Sequence, residues 1–453
     1  MWIISCNIKL IVLSLKIDMI EIRRQSFIIE GGQPLKGEIR LSGAKNAATK
    51  MMIASLLTEE EVILENCPNL GDVEITTELC EMVGSRIKRN GNVLKIKTPK
   101  IINHRVKELS RKNRIPILAL SPLLHRTGKA EVPVVGGDKI GPRPVNFHLE
   151  ALRKMGAEIE EIKTSYKARA EKLKGAEINL PYPSVGATEN IILAGVLAEG
   201  RTVISNAAIE PEVIDLIKML QKMGAIIEIG TNRKIYIEGV EKLKGTTHYV
   251  LPDRNEAVSF AIMAIVTGGD IFIKEAQQEH LITFLNTVRK IGGGFKVEKN
   301  GIRFFKEKDF KPIELETDTH PGYMTDWQQP LVVLLTQANG VSVIHETVYE
   351  DRFGYIKELN KMGADITVFN KCLGEKECRF NGKNHPHSAV IKGPTPLKGI
   401  EMEISDIRAG CAHVIAALIA QGKSKIYGVE HLDRGYENFE QKLLGLGAKI
   451  KRI

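Results

Sequence analysis

Aromatic residues are scarce in this chain, at 5% of 453 residues, and no run of Lys and Arg is interleaved with them. Single-stranded nucleic acid is gripped by cations alternating with stacking rings. That pattern is missing, so the excess of 64 Lys and Arg over 55 Asp and Glu, +9 in all, points to a small anionic ligand rather than to nucleic acid. Cysteine is sparse too. Cys6, Cys67, Cys80, Cys372, Cys378 and Cys411 are scattered, which excludes a disulfide framework in a chain of this size. The apolar residues 1–15 are interrupted by Asn7 and Lys9. They fall short of the roughly 20 residues of a membrane span and lack a small-residue cleavage site. Residues 1–25 therefore read as an N-terminal extension, with Met19 as an alternative start, and a cytoplasmic protein without membrane attachment is expected. The common nucleotide and hydrolase signatures are also missing: no Walker A, no G-x-G-x-x-G opening a βαβ unit, no H-E-x-x-H and no G-x-S-x-G.

What the chain does have is a repeat. A helix ending in a glycine followed by a strand recurs as EMVGSRI, KMGAEI, KMGAII, KIGGGF, KMGADI and GLGAKI. Its glycines, Gly84, Gly156, Gly224, Gly292, Gly363 and Gly447, stand where a left-handed helix cap is needed. They mark six units of about 70 residues. Each unit carries a second helix, apolar over most of its circumference: 47–57, 115–125, 188–198, 257–266, 329–338 and 409–420. Such helices belong inside a core. Such a repeat could build a solenoid, a single barrel or two α/β domains of three units, and the apolar inner helices favour the compact domains. One boundary falls at residues 251–254, and the other at Lys45–Asn46 if the first strands join the second half. The expected domains are residues 45–253, and residues 26–44 with 254–453, with a ligand cleft between them.

The first crossing, LSGAKNAA, sets Lys45 and Asn46 in the first turn of an apolar helix, where unsatisfied N–H groups and a cation make an anion site. The plain structural alternative is Ser42 as N-cap and Lys45 as a solvated side chain. Other charges interrupt apolar or glycine-rich runs in the same way: Arg114, Arg143, Asp326, Asp406, Arg408 and Arg434. Each could be a cap or the partner of one. Together, the recurrent cations suggest a cleft for a doubly anionic substrate.

Seven motifs in order, SGAKNA, GGDKIGPRPV, PSVGAT, TDWQ, ETVYEDRF, DIRA and DRGYE, resemble those of the UDP-N-acetylglucosamine 1-carboxyvinyltransferases, in the enolpyruvyl transferase family, over residues 26–453. The resemblance implies two inside-out α/β domains, and enolpyruvyl transfer from phosphoenolpyruvate to the 3-hydroxyl of UDP-N-acetylglucosamine, the first committed step of peptidoglycan synthesis. Carried across residue by residue, it implies that Lys45, Arg143 and Arg434 hold phosphoenolpyruvate, supported by Arg114 and Arg408. Asn46 and Asp326 would bind the amino sugar, with Asp326 taking the hydroxyl proton and Asp406 a second acid near the reacting carbon. Pro144, Val145, Asn146, Phe147 and His148, with Ser184, Val185 and Gly186, would hold uridine and diphosphate. Val348, Tyr349, Glu350 and Arg352 would flank the sugar. Asp138 stands at the loop tip where most of the family carries the cysteine that fosfomycin alkylates, and would act as proton donor. No metal or organic cofactor is implied.

Three departures from the family pattern bear on the nucleotide. Asn146 replaces an aspartate, Tyr182–Pro183 replaces a lysine-bearing stretch, and residues 372–387 resemble an insertion. In that insertion Cys372 and Cys378 precede His385 and His387 at a spacing that matches no standard zinc site, so it reads as a hairpin carrying a polar loop. The alternatives are an enolpyruvyl transferase acting on shikimate 3-phosphate or on another nucleotide, and a nucleic-acid-binding repeat protein that kept only the fold. The GGDKIGPRP and PSVGAT stretches weigh against shikimate 3-phosphate but not against another nucleotide, and the retained Lys, Arg and Asp positions weigh against the last.

Overall fold

The computed structural model describes residues 25–453 apart from 108, 112, 137–140, 142, 376 and 377. Asp138 thus lies outside the described residues, as does most of the N-terminal extension. All six repeat glycines have positive φ, between 89° and 120°. A side chain there would strain the backbone, which is why each helix stops at that point.

Apolar residues sort into two cores. One runs from Ala44 to Leu251; the other joins Phe27–Leu41 to residues 257–450. Among the described residues, six small sheets form the exterior. Five have four strands, each with one parallel pair followed by two antiparallel ones. In the sixth, an isolated parallel bridge from Arg105 to Glu131 extends three strands. Strands Ser26–Glu30 and Lys36–Arg40 pair with Lys423–Tyr427 and Asp270–Lys274 respectively, so the first strands complete sheets of the second core.

The inner helices are buried almost all round. In Arg254–Val266 every residue up to Ile265 is buried, and in Ile407–Ile419 every residue up to Leu418. These two pack on each other and on Gln328–Leu335. Helices inside and sheets outside give a two-domain, inside-out α/β fold.

The two crossings between the cores lie side by side. Gly43 bridges Pro252 in antiparallel fashion; the Ala44 amide donates to the Leu251 carbonyl and the Asp253 amide to that of Ser42, both at 2.8 Å. Ser42 is not an N-cap: its Oγ accepts from Lys442 Nζ, and helix Lys45–Ala54 starts behind Ala44 with no side-chain cap. The Lys45 amide instead donates to Asp253 Oδ2 at 3.4 Å.

Candidate active site

Lys45 opens its helix with Nζ 2.9 Å from Asp72 Oδ2. Arg434, from the far end of the chain, reaches Asp72 Oδ1 at 3.0 Å. One buried carboxylate thus clasps cations from both domains. Burial alone would raise the Asp72 carboxyl; the charges of Lys45 and Arg434 outweigh it and hold it below the usual range. Sequence reasoning missed Asp72. The only signal was an acid in the first turn of helix Gly71–Val83, where a dipole-compensating role would explain it as well.

Asp326 forms the second clasp, in the short 3-10 turn Thr325–Trp327. Arg352 donates to its Oδ1 and Arg408 Nε to its Oδ2, the latter at 3.2 Å. Burial works to raise this carboxyl too, but Arg408 and Arg352 hold it at about 2. Arg408 also donates to the Tyr436 hydroxyl at 2.9 Å. Asp406 is an N-cap, its Oδ1 accepting from the Arg408 and Ala409 amides at 2.9 Å. That carboxylate orients the helix carrying Arg408.

Arg114 and Arg143 differ from these four cations, because among the described residues neither has a carboxylate partner. Burial, with the like charge of Arg143 added, pulls Arg114 down to about 10. Arg143 sits at a φ of 44° with its guanidinium 5.2 Å from the Tyr349 ring, whose surroundings also include Arg352 at 5.3 Å. Two uncompensated guanidiniums kept close are destabilising unless an anion joins them.

Both line a cavity of about 340 Å³ with Asn46, Asp326 and Tyr349, within the size range of small-molecule sites. Pro144, Phe147, His148, Ser184, Val185, Gly186, Val348 and Glu350 also line it. Two residues assigned to the nucleotide do not. Val145 is buried in the first core, and Asn146 is exposed with its amide 3.5 Å from Glu150. They sit at the start of helix Asn146–Lys154, whose turn carries them away from the cavity while aiming Phe147 and His148 at it. Helix Val185–Gly195 points its N-terminus inward with Ser184 as cap, its Oγ accepting from the Ala187 amide. Such an end suits a diphosphate. A Cβ at Gly186 would meet the His148 ring at 3.2 Å, so only glycine fits easily. Burial, then Arg114, push His148 down to about 3, leaving its ring neutral. A wider groove of about 1300 Å³ lies beside Lys218, Tyr249 and His280; Arg114 and Arg143 line the smaller cavity, whereas Lys45, Arg352, Asp406, Arg408 and Arg434 are not among its lining residues.

A Cβ at Gly141, in the glycine-rich loop, would lie 2.4 Å from Glu350 Oε2. Arg254 and Glu212 form a buried bidentate pair between the domains, both bonds 3.0 Å. Several more cavity residues escaped sequence reasoning, among them Arg379, Lys50 and Glu189. Arg379 stacks 4.5 Å over the Tyr182 ring. Lys50 and Glu189 line the wall, and neither Glu189 oxygen has a hydrogen-bond partner among the described residues.

Burial raises Glu189 to about 7; Lys50 opposes this, and Glu212 and Glu210 add to it. A folded value above the ordinary 4.5 means the native state binds the proton more tightly. Its stabilising contribution is present below pH 4.5 and is lost as pH rises through about 7, by on the order of 3 kcal/mol at most. Glu189→Gln should therefore match wild type near pH 4.5 and exceed it near pH 8 in urea denaturation. An equal gap at both pH values would contradict this.

This architecture is that of the enolpyruvyl transferases. The enolpyruvyl transferase NikO from Streptomyces tendae superposes with a TM-score of 0.83 at 22% identity, over 95% of this chain and 99% of that one. EPSP synthase from Acinetobacter baumannii gives 0.73 at 21% identity, over 95% and 100%. At the sequence level, residues 29–443 match the EPSP synthase (3-phosphoshikimate 1-carboxyvinyltransferase) family. Much nearer in sequence is the UDP-N-acetylglucosamine 1-carboxyvinyltransferase of Protochlamydia amoebophila, 51% identical over 94% of each chain. That of Chlamydia trachomatis is 52% identical over 93% of this chain and 96% of the relative. The chain belongs to the UDP-N-acetylglucosamine 1-carboxyvinyltransferase family.

Proposed function

We propose that this protein transfers the enolpyruvyl group of phosphoenolpyruvate to the 3-hydroxyl of UDP-N-acetylglucosamine with release of phosphate, as a cytoplasmic step of peptidoglycan synthesis. The observation that carries the reading is the pair Arg114 and Arg143, cations facing a closed cavity without a carboxylate to neutralise them. Phosphoenolpyruvate supplies the missing charge, with Lys45 and Arg434 from the Asp72 clasp on its other side. Residues 45–253 form one domain in this reading, and residues 26–44 with 254–453 the other.

In the first stage the sugar O3 bonds to C2 while C3 gains a proton and O3 loses one. In the second, phosphate leaves C2 and C3 gives up a proton, restoring the double bond. Asp326 is the acceptor for the hydroxyl proton, and Asp138 the donor to C3. The cations hold the phosphate and carboxylate oxyanions through both stages. An Asp326 tied to two guanidiniums is ionised at every working pH but a weak base. The incoming hydroxyl must displace one of them before transfer, and Arg352, adjoining the sugar-flanking segment Val348–Glu350, is the one to move. The helix end at Ser184–Gly186 takes the diphosphate.

Calorimetry with the two candidate acceptors tests the assignment of the cavity. UDP-N-acetylglucosamine should bind and shikimate 3-phosphate should not; the reverse would overturn it. Lys45→Ala should raise the KM for phosphoenolpyruvate by about 10–100-fold, the worth of a charged hydrogen bond, in steady-state phosphate release. An unchanged KM would remove Lys45 from the anion site.

A further inference from the structure

The hairpin between strands Asp365–Phe369 and Ser388–Gly393 carries residues 370–387, and this loop folds back against the end of a neighbouring strand, Gly340–His345. Cys372, Cys378 and His387 thereby meet His345, and one donor atom from each lies within 4.8 Å of all the others. Along the chain the two cysteines are followed by His385 as well as His387, at a spacing that matches no standard zinc site. His385 turns its ring edge-on to Phe380 and offers only its carbonyl, which accepts from His387 Nδ1 at 2.7 Å. A strand partner from elsewhere in the chain supplies the fourth side chain, which is why no linear motif announced it.

The geometry around these four is that of a closed metal centre. The two sulfurs are 3.6 Å apart, and Cys372 Sγ is 3.4 Å from His387 Nε2. A tetrahedral zinc ion, with bonds of about 2.3 Å to sulfur and about 2.0–2.1 Å to nitrogen, sets these edges at about 3.8 and 3.5 Å. His387 has its Nδ1 engaged by a carbonyl, so Nε2 keeps the lone pair. His345 has Nδ1 3.2 Å from Glu316 Oε2, a carboxylate–histidine pairing of the kind that orients metal-bound imidazoles. His345 is fully buried, and its Nε2 has no hydrogen-bond partner among the described residues. A metal ion would satisfy that nitrogen. We propose that His345, Cys372, Cys378 and His387 form a structural zinc site that staples this loop to the strand beside it.

Two thiolates and two imidazoles suit zinc and disfavour the oxygen-seeking magnesium and calcium ions. Each thiol gives up its proton to solvent as the ion binds. Four protein ligands leave no open position, so the site holds structure and takes no part in chemistry. What it holds is functional, however. Arg379, next to Cys378, stacks on Tyr182, pairs with Glu350 at 3.8 Å and donates to the Val348 carbonyl. The staple thus fixes one wall of the cavity.

Full-length protein purified without chelator should contain about one zinc ion per chain by plasma mass spectrometry, and Cys372→Ser/Cys378→Ser less than about a tenth. His385→Gln should retain the full complement. Metal-stripped wild type titrated with cobalt should develop thiolate-to-cobalt charge-transfer bands that saturate near about one equivalent, a readout that does not depend on the variants folding. Zinc-free wild type that also gives no such bands would overturn the proposal. So would zinc retained by the double cysteine variant, zinc lost from His385→Gln, or an intact mass showing Cys372 and Cys378 joined as a disulfide.

Discussion

Asp326→Asn should lower turnover by about 10²–10⁴-fold, the usual contribution of a general base, while binding of the sugar nucleotide survives. The amide keeps the shape of the carboxyl and can still accept from Arg408 Nε, which lies 3.2 Å from Oδ2 in wild type. It cannot take a proton. The wild-type carboxyl, held at about 2 by its two arginines against the effect of burial, is ionised throughout the neutral range, so no acid limb of the rate profile near neutrality should belong to it. Steady-state phosphate release with calorimetry on the same preparation separates the two effects. If the variant keeps more than roughly a third of the wild-type rate, the base is another group. Loss of binding together with rate would mean that Asp326 chiefly anchors Arg352 and Arg408.

Asp138 carries the second large effect. The proposed enzyme should turn over in the presence of fosfomycin, and Asp138→Cys should remain active yet be inactivated by it progressively and irreversibly. An epoxide is opened by a thiolate far more readily than by a carboxylate. A carboxylic acid can nevertheless protonate C3 as a general acid. Time-dependent loss of activity, with a covalent adduct seen by mass spectrometry, is the measurement. An adduct on wild-type Asp138 with loss of activity would contradict the reading, as would a cysteine variant that turns over but stays immune.

The fold was legible in the sequence because its signals are local. A glycine such as Gly224 is required where φ reaches 103°, and a helix with no polar face, such as 257–266, has nowhere to go but inside. The cations of the site were legible for a related reason: Lys45 and Arg408 interrupt apolar runs where a charge needs an explanation. Their partners were not. Asp72 and Arg434 are 362 residues apart, and nothing local to either one names the other. Glu189 did leave a trace, as a carboxylate inside a buried helix, yet its meaning depends on Lys50 across the cavity. Asn146 shows the converse: its motif pointed to the nucleotide, but helix geometry turns that residue outward. His345 was invisible for the same reason as Asp72, since strand pairing brought it to the cysteines.

The most direct test follows both halves of the reaction at once. With phosphoenolpyruvate and UDP-N-acetylglucosamine, the protein should release about one phosphate for each enolpyruvyl ether of the nucleotide that mass spectrometry detects. With shikimate 3-phosphate in its place, phosphate release should stay at background. Turnover with shikimate 3-phosphate, or none with either acceptor, would contradict the account.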